Sequence, residues 1–338
     1  MLPIIQTEMT TLLENLRLLE TLVTAPLGLH SDIKMLRQSL PFTGSNDIDS
    51  GALRERRAAL SKSIEDVSLV ALNTITNISV TLTLLESFKS ESGCDLTTIW
   101  VERARKILTR SKEKVTVKLR KGSVDKIRGI YVIIDPEVTG GRSILDITES
   151  ALKGGASVIQ YRDKNSDKSC MLQNSIAMQD ICNNHDALFI VNDHADITNL
   201  SNANGLHVGQ SDLSVETSRS IMGDDKIIGK SNNSIEQAIS SQSEAADYLA
   251  IGPIYTTTTM GKDVKRAVGV EAIREIKSRG IPVLVAIGGI NIDNVTTVFD
   301  AGADAICVAS AVTLADNPEK ATRQLLNVFE SNQNVEFI

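Results

Sequence analysis

LFIVNDHADITNLSNANGLHVGQSD, residues 188–212, reads as a short β-rich run, a segment of helical length and a second β-rich run that breaks off at polar residues. Working outward from it, the same alternation recurs from Arg128 onward. Strand runs fall at 129–134, 157–161, 188–191, 205–208, 226–228, 248–251, 283–286 and 305–308. Such alternation is the signature of βα units wound around a parallel sheet. Eight strands, each followed by a plausible helix, fit a closed α/β barrel of the (β/α)8 TIM type better than an open doubly wound sheet. Periodicity alone leaves the open sheet as the alternative.

The first third of the chain has another period. Leu12, Leu16, Leu19 and Val23 recur at helical spacing. Ile64, Val67, Ala71, Ile75, Ile78, Leu82 and Leu85 mark the apolar face of a longer helix, with Glu65, Asp66, Asn73, Asn77 and Glu86 largely off it. Residues 33–40 read as a short helix, and Pro41, Gly44 and the polar stretch 45–50 as a connection. The expected organisation is a smaller all-α domain at 1–120, a linker at 121–128 and the barrel at 129–338. The basic run 112–128 has little helical period and reads as a solvated connector rather than an anion-binding patch.

A chain of 338 residues is long enough for one large core and a smaller one. Apolar residues at 42% and charged residues at 23% match an ordinary soluble globular protein and neither disorder nor a membrane composition. The net charge of −7 argues against a nucleic-acid partner, because non-specific polyanion binding needs clustered Lys and Arg. Any phosphate ligand must then meet a local site. Cys94, Cys170, Cys182 and Cys307 lack metal-ligand spacing and read as incidental thiols of a reducing compartment. No apolar run reaches the ~18 residues of a membrane span, and 1–10 lacks a signal pattern, so the expectation is a cytoplasmic protein without a membrane partner.

In such barrels the chemistry sits at the C-terminal ends of the strands. After the second strand, Gln160, Arg162 and Lys164 alternate to one side of QYRDK, so the two cations can meet phosphate oxygens and the amide a heterocycle; a surface ion-pair loop is the plainer alternative. The third strand stops at Asn192 and Asp193, and the fourth runs on to Asp212. Two carboxylates on adjacent strands either hold Mg²⁺ with a substrate diphosphate or cap the helices that follow. His207, inside a strand run, reads as a hydrogen-bonded packing residue. After the sixth strand, Thr256, Thr257, Thr258 and Thr259 offer hydroxyls to an anion, or form a polar loop without a ligand. Gly288 and Gly289 after the seventh strand, with Ala309 and Ser310 after the eighth, make a phosphate cup of backbone amides. That cup implies a phosphorylated ligand and no particular reaction.

Taken in order, QYRDK, ND, GLHVGQSD, GKS, DYLAIGPIY with its threonine loop, AIGGI and the VAS ending at Ser310 resemble the thiamine phosphate synthase family. The likeness runs from Tyr131 to Leu326. It implies two small-molecule substrates, a hydroxymethylpyrimidine diphosphate and a thiazole phosphate, joined with loss of pyrophosphate and with Mg²⁺ as cofactor. By the same resemblance Gln160, Arg162, Lys164 and Asn192, with the neighbouring Tyr161 and Asp163 of the motif, bind the diphosphate substrate. Asp193 and Asp212 hold Mg²⁺, and Ser231 contacts the pyrimidine. Thr257, Thr258, Thr259, Gly289, Ala309 and Ser310 take the thiazole phosphate. Arg162, Lys164, Ser231 and Lys262 are the expected catalytic set.

Two positions depart from the family pattern. Met260 stands where a lysine is usual, and Thr256 where a proline is. A thioether cannot neutralise pyrophosphate, so Lys262, or failing it Lys265 or Arg266, is expected to substitute. The N-terminal helices resemble a helical extension fused to this enzyme in some bacteria, on Glu14 to Glu20 and the pair Leu36, Arg37; their stripes can pack against the barrel or a second copy of the chain. The competing readings are a barrel isomerase or an aldolase with Lys164 as Schiff base, and a ligand sensor permitted by Met260.

Overall fold

The computed structural model describes residues 2–22, 30–40, 64–87, 98–257, 267–281 and 283–335, and divides into two compact units, Met1–Lys121 and Gly122–Ile338. Val23, Pro41, Gly44, the 45–50 stretch, Cys94, Thr258, Thr259, Met260, Lys262, Lys265 and Arg266 lie outside the described residues.

In the first unit the helical stripes do what their spacing implies. α1 (Leu2–Leu22) buries Leu12, Leu16 and Leu19, and α3 (Ile64–Ser87) buries Ala71, Ile75, Ile78, Leu82 and Leu85 in the same core. α2 (His30–Gln38) adds Ile33 and Leu36, and α4 (Thr98–Asp125) adds Trp100, Val101, Ala104, Leu108 and Val115. Each fully buried Leu or Ile contributes about 1.5–3 kcal/mol, so the shared stripe rather than helix propensity holds the unit together. Glu20 and Arg37 pair at 2.5 Å, and the Trp100 indole N–H donates to Ser39 Oγ at 3.1 Å.

Two expectations for this region need correction. The connector expected over 112–128 is helix as far as Asp125, because α4 continues through it. The period was hidden because Ser111, Thr116 and Arg120 occupy buried positions where apolar residues would have revealed it. Further, residues 67–87 of α3 are long and apolar enough to cross a membrane by length and composition, with a mean hydropathy of 1.5. Scattered Asn and Thr break that run to the eye but hardly lower its average. In this structure Ala71, Ile75, Ile78, Leu82 and Leu85 of that helix are buried in the helical core.

The second unit is a closed barrel of eight parallel strands in sequential order. They are β1 (Gly129–Ile134), β2 (Val158–Tyr161), β3 (Leu188–Asn192), β4 (Gly205–Val208), β5 (Ile227–Asn232), β6 (Tyr248–Ile251), β7 (Leu284–Ile287) and β8 (Ala305–Val308). Closure is direct: Gly129 pairs with Ala305 and Val132 with Val308 across β1 and β8. The open-sheet alternative is thereby set aside. β5 runs four residues past the apolar run that marked it, because Lys230 and Asn232 turn outward and are satisfied under the helices, by Glu244 and by the Lys230 and Ala250 carbonyls respectively.

Strand alternation separates two apolar sets. Ile130, Val132, Ile134, Ile159, Phe189, Val191, Leu249, Ile251 and Ile306 face the helices. Tyr131, Ile133, Val158, Leu188, Ile190, Ile227, Tyr248, Val285 and Cys307 fill the lumen. The lumen has room for Tyr248 only because β5 carries Gly229: a Cβ there would lie 2.0 Å from Tyr248 Cζ. Gly229→Ala should therefore overpack the barrel and lower stability by about 1–3 kcal/mol in urea unfolding; an unchanged midpoint would show that the ring has space to move.

Candidate active site

Inward-facing residues at the carboxyl ends of the strands converge on two joined cavities, of about 280 and 390 Å³. Arg162, Asn192, His207, Ser231 and Asn233 line both. The polar lobe adds Lys164, Asp193 and Gln210. The other lobe adds Gln160, Thr257, Gly288, Gly289, Ala309 and Ser310.

In the polar lobe Asp193 stands just past β3 with φ 61°, a left-handed conformation that Asp tolerates better than most residues. Its carboxylate lies against that of Asp212, and burial together with this like-charged neighbour pushes the Asp212 carboxyl up. Asp212 Oδ2 also accepts the Gly209 amide at 2.7 Å. Lys164 ion-pairs with Asp193. The capping alternative for the two aspartates does not apply, since His194 precedes α5 (Ala195–Leu200) and Ser214 caps α6 (Val215–Met222). Two carboxylates crowded together need a cation between them, and Lys164 partly meets that need.

A metal fits this donor set in one way. Among the described residues no group of three His, Cys, Asp or Glu side chains gathers, so these residues build no cage. Mg²⁺ does not ask for one: it takes one or two carboxylates and completes its octahedron with phosphate oxygens and water. Asp193 and Asp212 would hold it and leave the remaining positions to a diphosphate.

Arg162 turns to the same mouth and pairs with Asp135, which is 2% exposed. Asp135 is a residue that sequence reasoning missed. The signal was available: it follows β1 in step with the inward Tyr131 and Ile133. Gln210 and Asn233 were missed as well, although Gln210 lies in the GLHVGQSD motif; its amide donates to the Ser231 carbonyl at 2.5 Å.

Gly288 and Gly289, with φ 101° and 66°, form the floor of the second lobe. Cβ atoms there would lie 2.5 Å from Pro253 Cβ and 2.8 Å from Tyr255 Cβ, so only glycine permits this close backbone. Ala309 and Ser310, at the start of the short α7 (Ser310–Thr313) after the neighbouring β8, line the same lobe. Thr257 is the one residue of the expected threonine set that lies within the described residues and lines the cavity.

Tyr161 and Asp163, which the resemblance placed among the substrate-binding residues, stand apart from this lining. They are out of step with Gln160 and Arg162 and line neither lobe. Instead the Tyr161 hydroxyl donates to Asp163 Oδ2 at 2.7 Å, and Asp163 Oδ1 accepts the Asn165 and Ser166 amides at 3.0 and 2.9 Å, which shapes the loop that carries Lys164. His207, read as packing, is hydrogen-bonded on both ring nitrogens and also lines both lobes. Burial pushes its imidazole down to about 4, against the opposing charge of Asp212, so it is neutral near pH 7. An aldolase would want a lysine inside a strand facing the lumen; Lys164 lies past β2, and Lys230 in β5 pairs outward with Glu244.

Burial alone would push the Asp163 carboxyl up, but the Ser166 and Asn165 amides, with the Ser166 and Tyr161 side chains, outweigh it and hold it at about 2. Because this lies below the ordinary 3.8, the ionised form stabilises the fold above pH 3.8 and the contribution fades as pH falls toward about 2. Asp163→Asn should cost about 1–3 kcal/mol at neutral pH and give a shallower loss on acidification. Urea unfolding at about pH 7 and about pH 3 reads both effects; parallel profiles for the two proteins would remove Asp163 from the support of this loop.

Comparison with known proteins agrees with this geometry. The family model for thiamine monophosphate synthase matches residues 130–312. The thiamine-phosphate synthase of Persephonella marina is 39% identical over 202 residues, which is 60% of this chain and 96% of that protein. That of Thermosynechococcus vestitus is 40% identical over 183 residues, 54% of this chain but 52% of that protein. The solved structure of thiamine phosphate pyrophosphorylase from Pyrococcus furiosus is 33% identical with a TM-score of 0.57, covering 62% of this chain and 98% of that one. Through its barrel, the chain belongs to the thiamine monophosphate synthase family.

Proposed function

We propose that the barrel is a thiamine phosphate synthase: a Mg²⁺-dependent transferase that joins 4-amino-2-methyl-5-hydroxymethylpyrimidine diphosphate to 4-methyl-5-(2-phosphoethyl)thiazole and releases pyrophosphate. The observation that carries the reading is the meeting, in joined cavities, of Asp193, with Asp212 against it from behind the lining, with Arg162 and Lys164 on one side and the Gly288–Gly289 backbone on the other. One lobe suits a metal diphosphate and the other a phosphate monoester.

The bond that breaks joins the pyrimidine methylene to the diphosphate oxygen, whose electron pair leaves with pyrophosphate. The bond that forms joins that methylene, as a ring-stabilised cation, to the thiazole nitrogen. Bound Mg²⁺ supplies charge neutralisation on the leaving diphosphate. Arg162 and Lys164 offer their donors to the same oxygens, and pre-set donors aimed at developing charge are worth more in a partly enclosed site than in water. Gln160, Asn192 and Ser231 orient the pyrimidine, while Thr257, Gly289, Ala309 and Ser310 fix the thiazole phosphate so that its nitrogen meets the methylene. No general base is required for this exchange of partners. We further assign Thr258 and Thr259 to the thiazole phosphate and Lys262 to the diphosphate, the lysine supplying the charge that Met260 lacks.

The test is to incubate the purified full chain with both substrates and Mg²⁺ and to measure thiamine phosphate and pyrophosphate. Asp193→Ala and Asp212→Ala should each reduce the rate by roughly 10²-fold or more and weaken its response to Mg²⁺. Binding of both substrates by the wild-type protein without product would favour the sensing reading instead. Lys262→Ala is expected to raise KM for the pyrimidine diphosphate by about tenfold, the scale of one charge-assisted contact; unchanged turnover and affinity in that variant, alongside an inactive Arg162→Ala, would remove Lys262 from the site.

A further inference from the structure

A line of hydrogen bonds crosses the barrel beneath the site, between two residues that face the pyrimidine in the proposed function, on which this inference rests. The Gln160 amide N–H donates to the Tyr131 hydroxyl at 2.6 Å. The Tyr131 and Tyr248 hydroxyls lie 3.0 Å apart. Tyr248 is 3.0 Å from His207 Nδ1, and His207 Nε2 is 2.8 Å from Ser231 Oγ. All of the links are buried in the lumen except the last, which opens on the cavity. The path exists because Gly229 leaves the space that Tyr248 fills.

We propose that Tyr131, Tyr248 and His207 are positioning residues that bind the Gln160 amide and the Ser231 hydroxyl into one chain of a single polarity. The two ends then present to the pyrimidine one acceptor and one donor in concert.

The reasoning is a count of hydrogens. Each tyrosine hydroxyl has one hydrogen and two neighbours in the chain, and no third hydrogen-bond partner is found for either among the described residues. A neutral imidazole has one N–H and one bare nitrogen. If Gln160 donates to Tyr131, then Tyr131 donates to Tyr248, Tyr248 to Nδ1, and Nε2–H to Ser231. Gln160 is left with its carbonyl oxygen toward the cavity, and Ser231 with a hydrogen to give. Turning the amide over reverses every link, so that Gln160 offers N–H and Ser231 offers lone pairs. A mixed arrangement leaves a buried hydroxyl hydrogen without an acceptor, or sets two donors or two lone pairs face to face, which a dry lumen disfavours. An aminopyrimidine carries an amino donor and ring-nitrogen acceptors and satisfies one polarity. Its 4-oxo counterpart, with C=O and ring N–H, demands the other.

The test uses the full chain labelled with ¹⁵N-histidine, Mg²⁺, and either the 4-amino or the 4-oxo pyrimidine diphosphate, with the His207 signals identified by their loss in His207→Asn. The two ligands should select opposite neutral tautomers of His207. Tyr248→Phe keeps the ring but cuts the chain; it should abolish that switch and shrink the kcat/KM preference for the amino over the oxo substrate by about tenfold, with KM for the thiazole phosphate essentially unchanged. Tyr131→Phe should do the same, and the double variant no more than either alone, since one break already separates the ends. Where the wild-type protein refuses the oxo ligand outright, Tyr248→Phe should admit it. The same tautomer with both ligands, or a folded Tyr248→Phe or Tyr131→Phe with its preference intact, would overturn the inference. A working switch without thiamine phosphate formation would overturn the proposed function and leave the chain standing; turnover without the switch would do the reverse.

Discussion

The parity of a closed parallel barrel governs this molecule. Once β1 pairs with β8, the lumen admits only every second side chain of each strand, and the residues that alternate with them are committed to the helical layer. Gln160 and Arg162 therefore share the mouth, while Tyr161 and Asp163, one step out of phase, build the loop behind it. The same rule sends Ser231 inward and its neighbours Lys230 and Asn232 outward, and it sets Tyr131, Tyr248 and His207 in one plane of contact. A slip of one residue in any strand would exchange the two populations.

Above that frame the mouth of the barrel is an exercise in charge balance. Asp193 and Asp212 repel each other, Lys164 and Arg162 answer carboxylates at close range, and burial raises the cost of leaving any of them uncompensated. Such an arrangement accepts an incoming anion and a cation together more readily than either alone. A metal would take the place Lys164 partly fills on Asp193, and phosphate oxygens would occupy donors that now face carboxylates. The Gly288–Gly289 lobe works by the opposite means: with no cation required, it offers backbone close enough for amides to reach an anion. The two lobes are thus two different kinds of receptor for an anion.

The helical unit obeys simpler physics. Its stripes meet in one core, and among the described residues Glu20 pairs with Arg37 and Glu86 with Arg105. The family model spans residues 130–312, and the Persephonella marina relative is matched over 202 residues, 96% of its length and 60% of this chain.

The sequence by itself determined the barrel, since alternation of period 2 and period 3.6 is a local property of neighbouring residues: the extents of β1, β4, β6 and β8 coincide with their apolar runs. It also determined which strand ends carry polar groups, and so most of the lining of the site. It could not determine phase from polarity: Tyr161 and Asp163 sat in the motif as equals of Arg162, and only strand register divided them. Nor could it find partners distant along the chain, as Asp135 is from Arg162, or a helix such as the end of α4 whose buried face includes Ser111, Thr116 and Arg120. Tertiary structure decided those, because contact between residues far apart in sequence is fixed by closure of the sheet and packing of the layers. The hydrogen-bond chain from Gln160 to Ser231 is of this kind: its members come from β1, β2, β4, β5 and β6, and only the closed lumen brings their polar atoms within bonding distance.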